Sequence, residues 1–194
     1  AGSGERMLPL TKDINKALLP INGKAVISHI IEKHSESTEI IVAVNYEKDK
    51  IKEYLDCAYS SRKIIYVEVP KISGKGSGPG YSLICCKEYL NQPFILTTVD
   101  TLFDGVCPNP SQNWMGISFV KNPSSYCTAL IDSNKNLIRS LIDKKENGTN
   151  FAFIGIAGIY DYKAFFNSLI SDKSEINGEI QVSNGFQGLI KKNL

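Results

Sequence analysis

AGSGERMLPLTKDINKALLPINGK, residues 1–24, is the stretch on which the reading of this chain turns. A Gly-Ser-Gly turn (Gly2, Ser3, Gly4) leads at once to Arg6. Lys16 follows ten residues later, at the head of the apolar run Ala17 to Ile21. Glycine lacks a Cβ, so such a turn can bring backbone N–H groups against an anion. The planar guanidinium of Arg6 suits phosphate oxygens, and Lys16 adds a compact point charge. The stretch fits a polyanion site. By spacing alone it fits equally a flexible segment with ordinary surface cations.

The surrounding chain has 194 residues, enough for a single domain (1–194) with a sizeable core. Its 22 basic and 20 acidic residues leave a net charge of +2, too balanced to argue for nucleic acid. No apolar run reaches the roughly 18 residues of a membrane helix, and no signal peptide is visible. Five cysteines (Cys57, Cys85, Cys86, Cys107, Cys127) lack zinc-type spacing, which suggests reduced thiols in a cytoplasmic protein. A glycine loop of this kind normally follows a buried strand, so a strand is expected just ahead of residue 1.

The spacing of Val26, Ile27, Ile30 and Ile31 predicts a helix over 25–35, with His29 and His34 on its surface. Residues 39–44 (EIIVAV) read as a strand buried on both faces. Residues 47–55 read as a charged amphipathic helix and 63–69 as a second strand, together a βαβ unit. Residues 71–82 (KISGKGSGPGYS) hold four glycines and admit no regular element. They are either an exposed loop or a second nucleotide loop whose backbone reads a base edge. A helix from near Ser82 to 90 and a strand over 94–99 follow. Asp100 then stands at a strand's carboxyl end, where ligands of open α/β sheets collect and a carboxylate can hold Mg²⁺; Asp104 reads as a turn residue. Residues 114–120 predict a strand, 126–131 and 137–142 a hairpin-like pair, and 161–170 a helix; 151–160 is an apolar run with two glycines, Gly155 and Gly158. Trp114, the single tryptophan, is assigned to core packing.

These motifs, in this order, resemble the sugar-phosphate nucleotidyltransferase family: the NDP-sugar pyrophosphorylases and phosphocholine cytidylyltransferase-like enzymes. The matching pattern is G-x-G-x-R-M/L, then K-x-L-L-P-I/V-x-G-K. The resemblance implies an α/β, three-layer Rossmann-like fold, with a mixed, mainly parallel sheet and helices on both faces. It implies that Gly2, Ser3 and Gly4 wrap a nucleoside triphosphate whose phosphates Arg6 and Lys16 bind. The glycine stretch, with Gly78, Gly80 and Ser82, would read the base. Asp100, ending F-I-L-T-T-V-D, would bind Mg²⁺. Leu-Ile-Asp-Lys144 is similar to the family's E-K-P strand, with Lys145 in place of the proline; Lys144 would hold the acceptor phosphate. Gly155 would admit the acceptor and Glu179, in Gly178-Glu179-Ile180-Gln181-Val182-Ser183-Asn184, would bind it. Asn184 stands where many members have a second metal-binding aspartate. It offers a carbonyl oxygen without charge.

The implied reaction is Mg²⁺-dependent, in-line transfer of a nucleotidyl group to a sugar phosphate or other phosphate monoester, as in nucleotide-sugar biosynthesis. Pyrophosphate is released. The implied partners are a nucleoside triphosphate (CTP, UTP or dTTP) and a phosphorylated acceptor, with a homo-oligomer allowed and neither nucleic acid nor membrane involved. Some relatives place a uracil-pairing glutamine where this chain has Glu68-Val69-Pro70, which tilts the reading toward a phosphocholine-type cytidylyltransferase. A non-catalytic nucleotide-binding relative is the other alternative, supported by Asn184. A dinucleotide-binding oxidoreductase would need a third glycine near Met7 and an acidic residue where Asn45 follows Val44.

Overall fold

The computed structural model describes residues 1–144 and 148–194. The chain folds into two compact units, each built from more than one segment. One comprises Ala1–Tyr89, Val99–Cys107 and Asn177–Glu179; the other comprises Leu90–Thr98, Pro108–Ile176 and Ile180–Leu194.

The first unit begins with two 3-10 turns, Glu5–Met7 and Lys16–Leu18. A short antiparallel pair follows, β1 (Pro20–Ile21) and β2 (Lys24–Ala25). Asn22 and Gly23 join them, both left-handed (φ 49° and 75°), which is the backbone demanded by a two-residue type I′ hairpin turn. Helix α1 (Val26–Ile31) buries every residue except His29. Strand β3 (Ile40–Val44), helix α2 (Lys48–Ala58) and strand β4 (Ile64–Glu68) form the expected βαβ unit, in parallel register from Ile40↔Ile64 to Val44↔Glu68. Ile51 and Leu55, four residues apart on α2, meet Ala17, Ala25, Ile27, Ile31 and Val44 in one core. Only Val44 of β3 is fully buried. The expectation of burial on both faces is corrected: the sheet within this unit has two strands and covers the rest of β3 incompletely. Helix α3 (Pro79–Cys85) begins inside the glycine stretch, with proline in its first turn, where a missing N–H costs nothing. The stretch is therefore not wholly irregular.

The second unit is organised around its longest strand. Its elements are β5 (Phe94–Thr97), β6 (Trp114–Phe119), β7 (Cys127–Asp132), β8 (Leu137–Asp143) and β9 (Phe151–Ile159), then α4 (Tyr162–Ser171) and α5 (Ser183–Lys191). Strand β9 pairs antiparallel with β5, β6 and β7, and β7 pairs with β8 as the hairpin anticipated from the sequence. Phe94, Phe153, Phe165, Phe166 and Phe186 form an aromatic cluster with ring centroids 5.1–6.4 Å apart. Gly185 and Gly188 let α5 approach α4: a Cβ at Gly185 would lie 2.5 Å from the Phe165 ring, and one at Gly188 1.8 Å from Ser168 Oγ.

The expectation of a mainly parallel sheet is corrected. Among the described strands only β3 and β4 pair in parallel; every other ladder is antiparallel. Parallel pairing needs a long crossover, and the short β7–β8 connection cannot supply one. Helix α5 was not anticipated at all, and the 94–99 strand ends at Thr97.

Two outcomes test this packing. A Cβ at Gly158 would fall 2.1 Å from the indole nitrogen of Trp114, so Gly158→Ala must displace the ring. Urea unfolding of this variant should show a loss of about 1–3 kcal/mol, together with a shifted emission maximum of the single tryptophan. All five cysteines are free; burial pushes the Cys86 thiol up to about 11 and the Cys127 thiol up to about 12. In the folded protein at neutral pH, exposed Cys57 should react with a disulfide reagent well before either.

Candidate active site

The glycine turn at residues 2–4 is held by buried polar side chains. Gly4 is left-handed (φ 74°), and its carbonyl accepts a 2.7 Å hydrogen bond from Thr11 Oγ1. A Cβ at Gly4 would stand 3.0 Å from Thr11 Cγ2, so both backbone angle and space favour glycine there. Asn15 Nδ2 donates to the carbonyls of Gly2 (3.4 Å) and Tyr46 (2.9 Å), while its Oδ1 accepts from the Ala17 N–H (3.0 Å). That last bond caps the 3-10 turn carrying Lys16. Ser3 Oγ donates to Glu5, and Arg6 lies exposed on the first 3-10 turn.

Lys16 Nζ lies 3.4 Å from Asp100 Oδ2, across 84 residues of sequence. The lysine side chain is 22 % exposed and the aspartate 53 %. An ion pair this open contributes about 0–1 kcal/mol to stability. Its interest is chemical: a cation and a carboxylate stand together beside a glycine turn. Among the described residues no three His, Cys, Asp or Glu side chains converge on a metal position. Asp100 is thus a single carboxylate with no protein cage around it among the described residues. Such a donor set suits Mg²⁺, which usually takes one or two carboxylates and completes its shell with phosphate oxygens and water.

The second glycine stretch is equally ordered. Gly74, Gly76 and Gly78 have φ of 79°, 77° and 109°. Fully buried Ser77 donates its hydroxyl to the Gly74 carbonyl at 2.7 Å. Gly76 N–H donates to the Gly178 carbonyl at 2.7 Å, and Ser77 bridges Glu179 in parallel. The loop and Glu179, about a hundred residues apart in sequence, are therefore joined by a single isolated bridge. Gly80 is buried in the first turn of α3, and Ser82 Oγ donates to the Gly78 carbonyl at 3.2 Å.

The first unit thus contains Gly2, Ser3, Gly4, Arg6, Lys16, Gly78, Gly80, Ser82, Asp100 and Glu179. Lys144, Gly155 and Asn184 belong to the second. Lys144 is exposed and left-handed (φ 50°), its N–H donating to the Tyr126 carbonyl at 2.9 Å; its neighbour Lys145 lies outside the described residues. Gly155 is also left-handed (φ 81°), at the point on β9 where pairing with β5 ends. The space a Cβ would need there is taken by Thr98, whose Oγ1 would lie 2.0 Å away. Asn184 is buried on α5, its amide donating to the Ser174 carbonyl at 2.9 Å.

Sequence reading missed Thr11 and Asn15, which look like ordinary polar loop residues. They are 1 % and 2 % exposed. His29 Nε2 lies 2.9 Å from the Ile21 carbonyl oxygen. His34 is held below its usual pKa by burial and then by Arg62. Both have structural settings away from the glycine turn.

The bifunctional protein GlmU of Methanocaldococcus jannaschii is 30 % identical over 196 residues, covering 99 % of this chain and 46 % of that protein. The chain spans about half the length of the GlmU proteins it matches. A UTP–glucose-1-phosphate uridylyltransferase of Bacillus subtilis is 23 % identical, covering 97 % of this chain and 77 % of the relative. A crystal structure of UDP-glucose pyrophosphorylase complexed with UDP-glucose superposes with a TM-score of 0.73 at 20 % identity, over 99 % of this chain and 84 % of the other, and so shares its fold. Residues 1–105, more than half of the chain, match the MobA-like NTP transferase domain, and the chain belongs to that family.

Proposed function

We propose that this chain transfers a nucleotidyl group from a nucleoside triphosphate to a phosphate monoester and releases pyrophosphate. The observation that carries this reading is the Lys16–Asp100 pair, its lysine on a turn that Asn15 ties to the carbonyl of Gly2 in the glycine turn. In the proposed reaction an acceptor phosphate oxygen attacks the α-phosphorus in line. The α–β bridging bond breaks, and its electron pair leaves with pyrophosphate. The nucleophile is already an anion, so no general base is required. Catalysis then rests on positioning and on charges fixed before the reaction begins.

In this scheme the glycine turn and Arg6 hold the triphosphate, and Lys16 neutralises its oxygens. Asp100 would hold Mg²⁺, which neutralises phosphate charge when bound. The Gly74–Ser82 loop reads the base; Lys144 and Glu179 serve the acceptor; Asn184 keeps the role that the resemblance implies, whereas the space beside Gly155 is filled by Thr98 rather than open to an acceptor. UTP and a sugar 1-phosphate are the first substrates to test, because relatives across most of the chain carry uridylyltransferase names. CTP with phosphocholine is the second arm, because the chain has Glu68-Val69-Pro70 and no glutamine at that place.

The direct test is pyrophosphate release with Mg²⁺ across UTP, CTP and dTTP, each with glucose 1-phosphate and with phosphocholine. Removing a charge-stabilising group of this kind costs about 3–4 kcal/mol of barrier. Arg6→Ala and Lys16→Ala should therefore each cut turnover at least a hundredfold, with unchanged unfolding midpoints. Near-normal release by either variant would remove that residue from the site. Asp100→Asn should move the Mg²⁺ concentration for half-maximal rate at least tenfold higher. An unmoved titration would show that the carboxylate does not hold the ion.

A further inference from the structure

Asn15 is 2 % exposed and fully satisfied. Its Oδ1 faces a backbone N–H, and its Nδ2 faces two backbone carbonyls, so the network fixes the orientation of the amide. Each bond ends on a different part of the first unit: the glycine turn at Gly2, the end of the β3 segment at Tyr46, and the Lys16 turn at Ala17. Tyr46 answers from the other side. Its hydroxyl reaches the carbonyls of Thr11 (2.9 Å) and Lys12 (2.6 Å), on the segment between the glycine turn and Lys16. Its N–H donates to the Ala1 carbonyl at 3.4 Å. With the Asn15 side chain on the Tyr46 backbone and the Tyr46 hydroxyl on the backbone of residues 11–12, the two residues clamp residues 2–16 onto the end of a core strand.

We infer that Asn15, working with Tyr46, is the positioning residue that sets the spacing between the glycine turn and Lys16 before any triphosphate binds. The inference rests on reading residues 2–16 as the triphosphate site. Neither residue touches the substrate in this account. Each acts by taking up backbone carbonyls that would otherwise turn toward the anion, and by denying the segment alternative conformations. A preset spacing spares the triphosphate the entropy of ordering the segment, so the consequence falls on its binding.

Two variants separate positioning from folding. Asn15→Ser keeps an oxygen able to cap the Ala17 N–H but cannot span to Gly2 and Tyr46. Tyr46→Phe removes one hydroxyl and leaves β3 intact. In hydrogen exchange on the unliganded protein, both variants should exchange residues 2–16 at least tenfold faster, with α2 unchanged. In steady-state kinetics both should raise KM for UTP, or for whichever triphosphate the wild type turns over, at least tenfold. KM for the acceptor should stay within twofold. The double variant should fall well short of the product of the single effects, since both hold one segment. Unchanged exchange in residues 2–16, or a lower kcat with an unaltered triphosphate KM, would overturn the inference. If the wild type turns over no triphosphate, the proposed function fails, and the exchange result alone decides whether the clamp exists.

Discussion

Two buried side chains, Thr11 and Asn15, hold the glycine turn by its carbonyl oxygens. An anion-binding loop faces an electrostatic conflict: every residue that offers an N–H also carries a C=O that repels the anion. The conflict is resolved when the carbonyls are turned inward and bonded by the protein. Gly4 must be left-handed to make that turn, and Thr11 then packs so close to its α-carbon that no side chain fits without displacement. Thr11 gives the Gly4 carbonyl a second bond beside that from the Met7 N–H, and Asn15 bonds the carbonyl of Gly2, so replacing either side chain loosens the turn. The order of the segment is a property of the protein rather than something its ligand must supply.

The charges are distributed on the same principle. Lys16 sits on a capped turn, and Asp100 stands three residues beyond the end of β5. Neither charge is deep, and their pairing contributes little to stability. A half-exposed pair can exchange its mutual contact for contacts with phosphate oxygens and a hard cation at modest desolvation cost, whereas a buried one would resist separation. Shape comes from apolar packing elsewhere. The Val44–Leu55 core supports the turn in the first unit, and the phenylalanine cluster fixes the strands of the second. The polar frame can therefore be tuned for chemistry without carrying the fold.

Much of this was legible in the residues, for physical reasons. The β-branched runs at 40–44 and 64–68, separated by a charged amphipathic helix, can hardly satisfy their backbones except as a βαβ unit. Asp100 stood out because a strand over 94–99 would set a carboxylate where ligands gather; the strand ends at Thr97, three residues earlier, and only the fold brings Lys16 to that carboxylate. The Asn22-Gly23 hairpin was available but hidden inside an apolar run that drew attention away from its turn chemistry. Helix α5 was illegible because Gly185 and Gly188 depress helix propensity locally; only their close approach to α4 explains them. Pairing is mixed, as the resemblance implies, but not mainly parallel: the short β7–β8 connection forces one antiparallel ladder, and β9 runs antiparallel to β5 and β6 across connections whose direction no local pattern reveals. Thr11 and Asn15 were missed because polarity in a loop reads as exposure, and only coordinates reveal which polar side chains are buried.

The measurement that bears most directly on the account follows two labels through one reaction, with radiolabel placed on the α-phosphorus of the triphosphate in one sample and on the γ-phosphorus in another. The account predicts that the α label appears in a nucleotide joined to the acceptor and the γ label in pyrophosphate, both only when acceptor is present. A γ label in free phosphate or on the acceptor, or an α label retained covalently on the protein, would contradict in-line transfer by a preset cradle of charge.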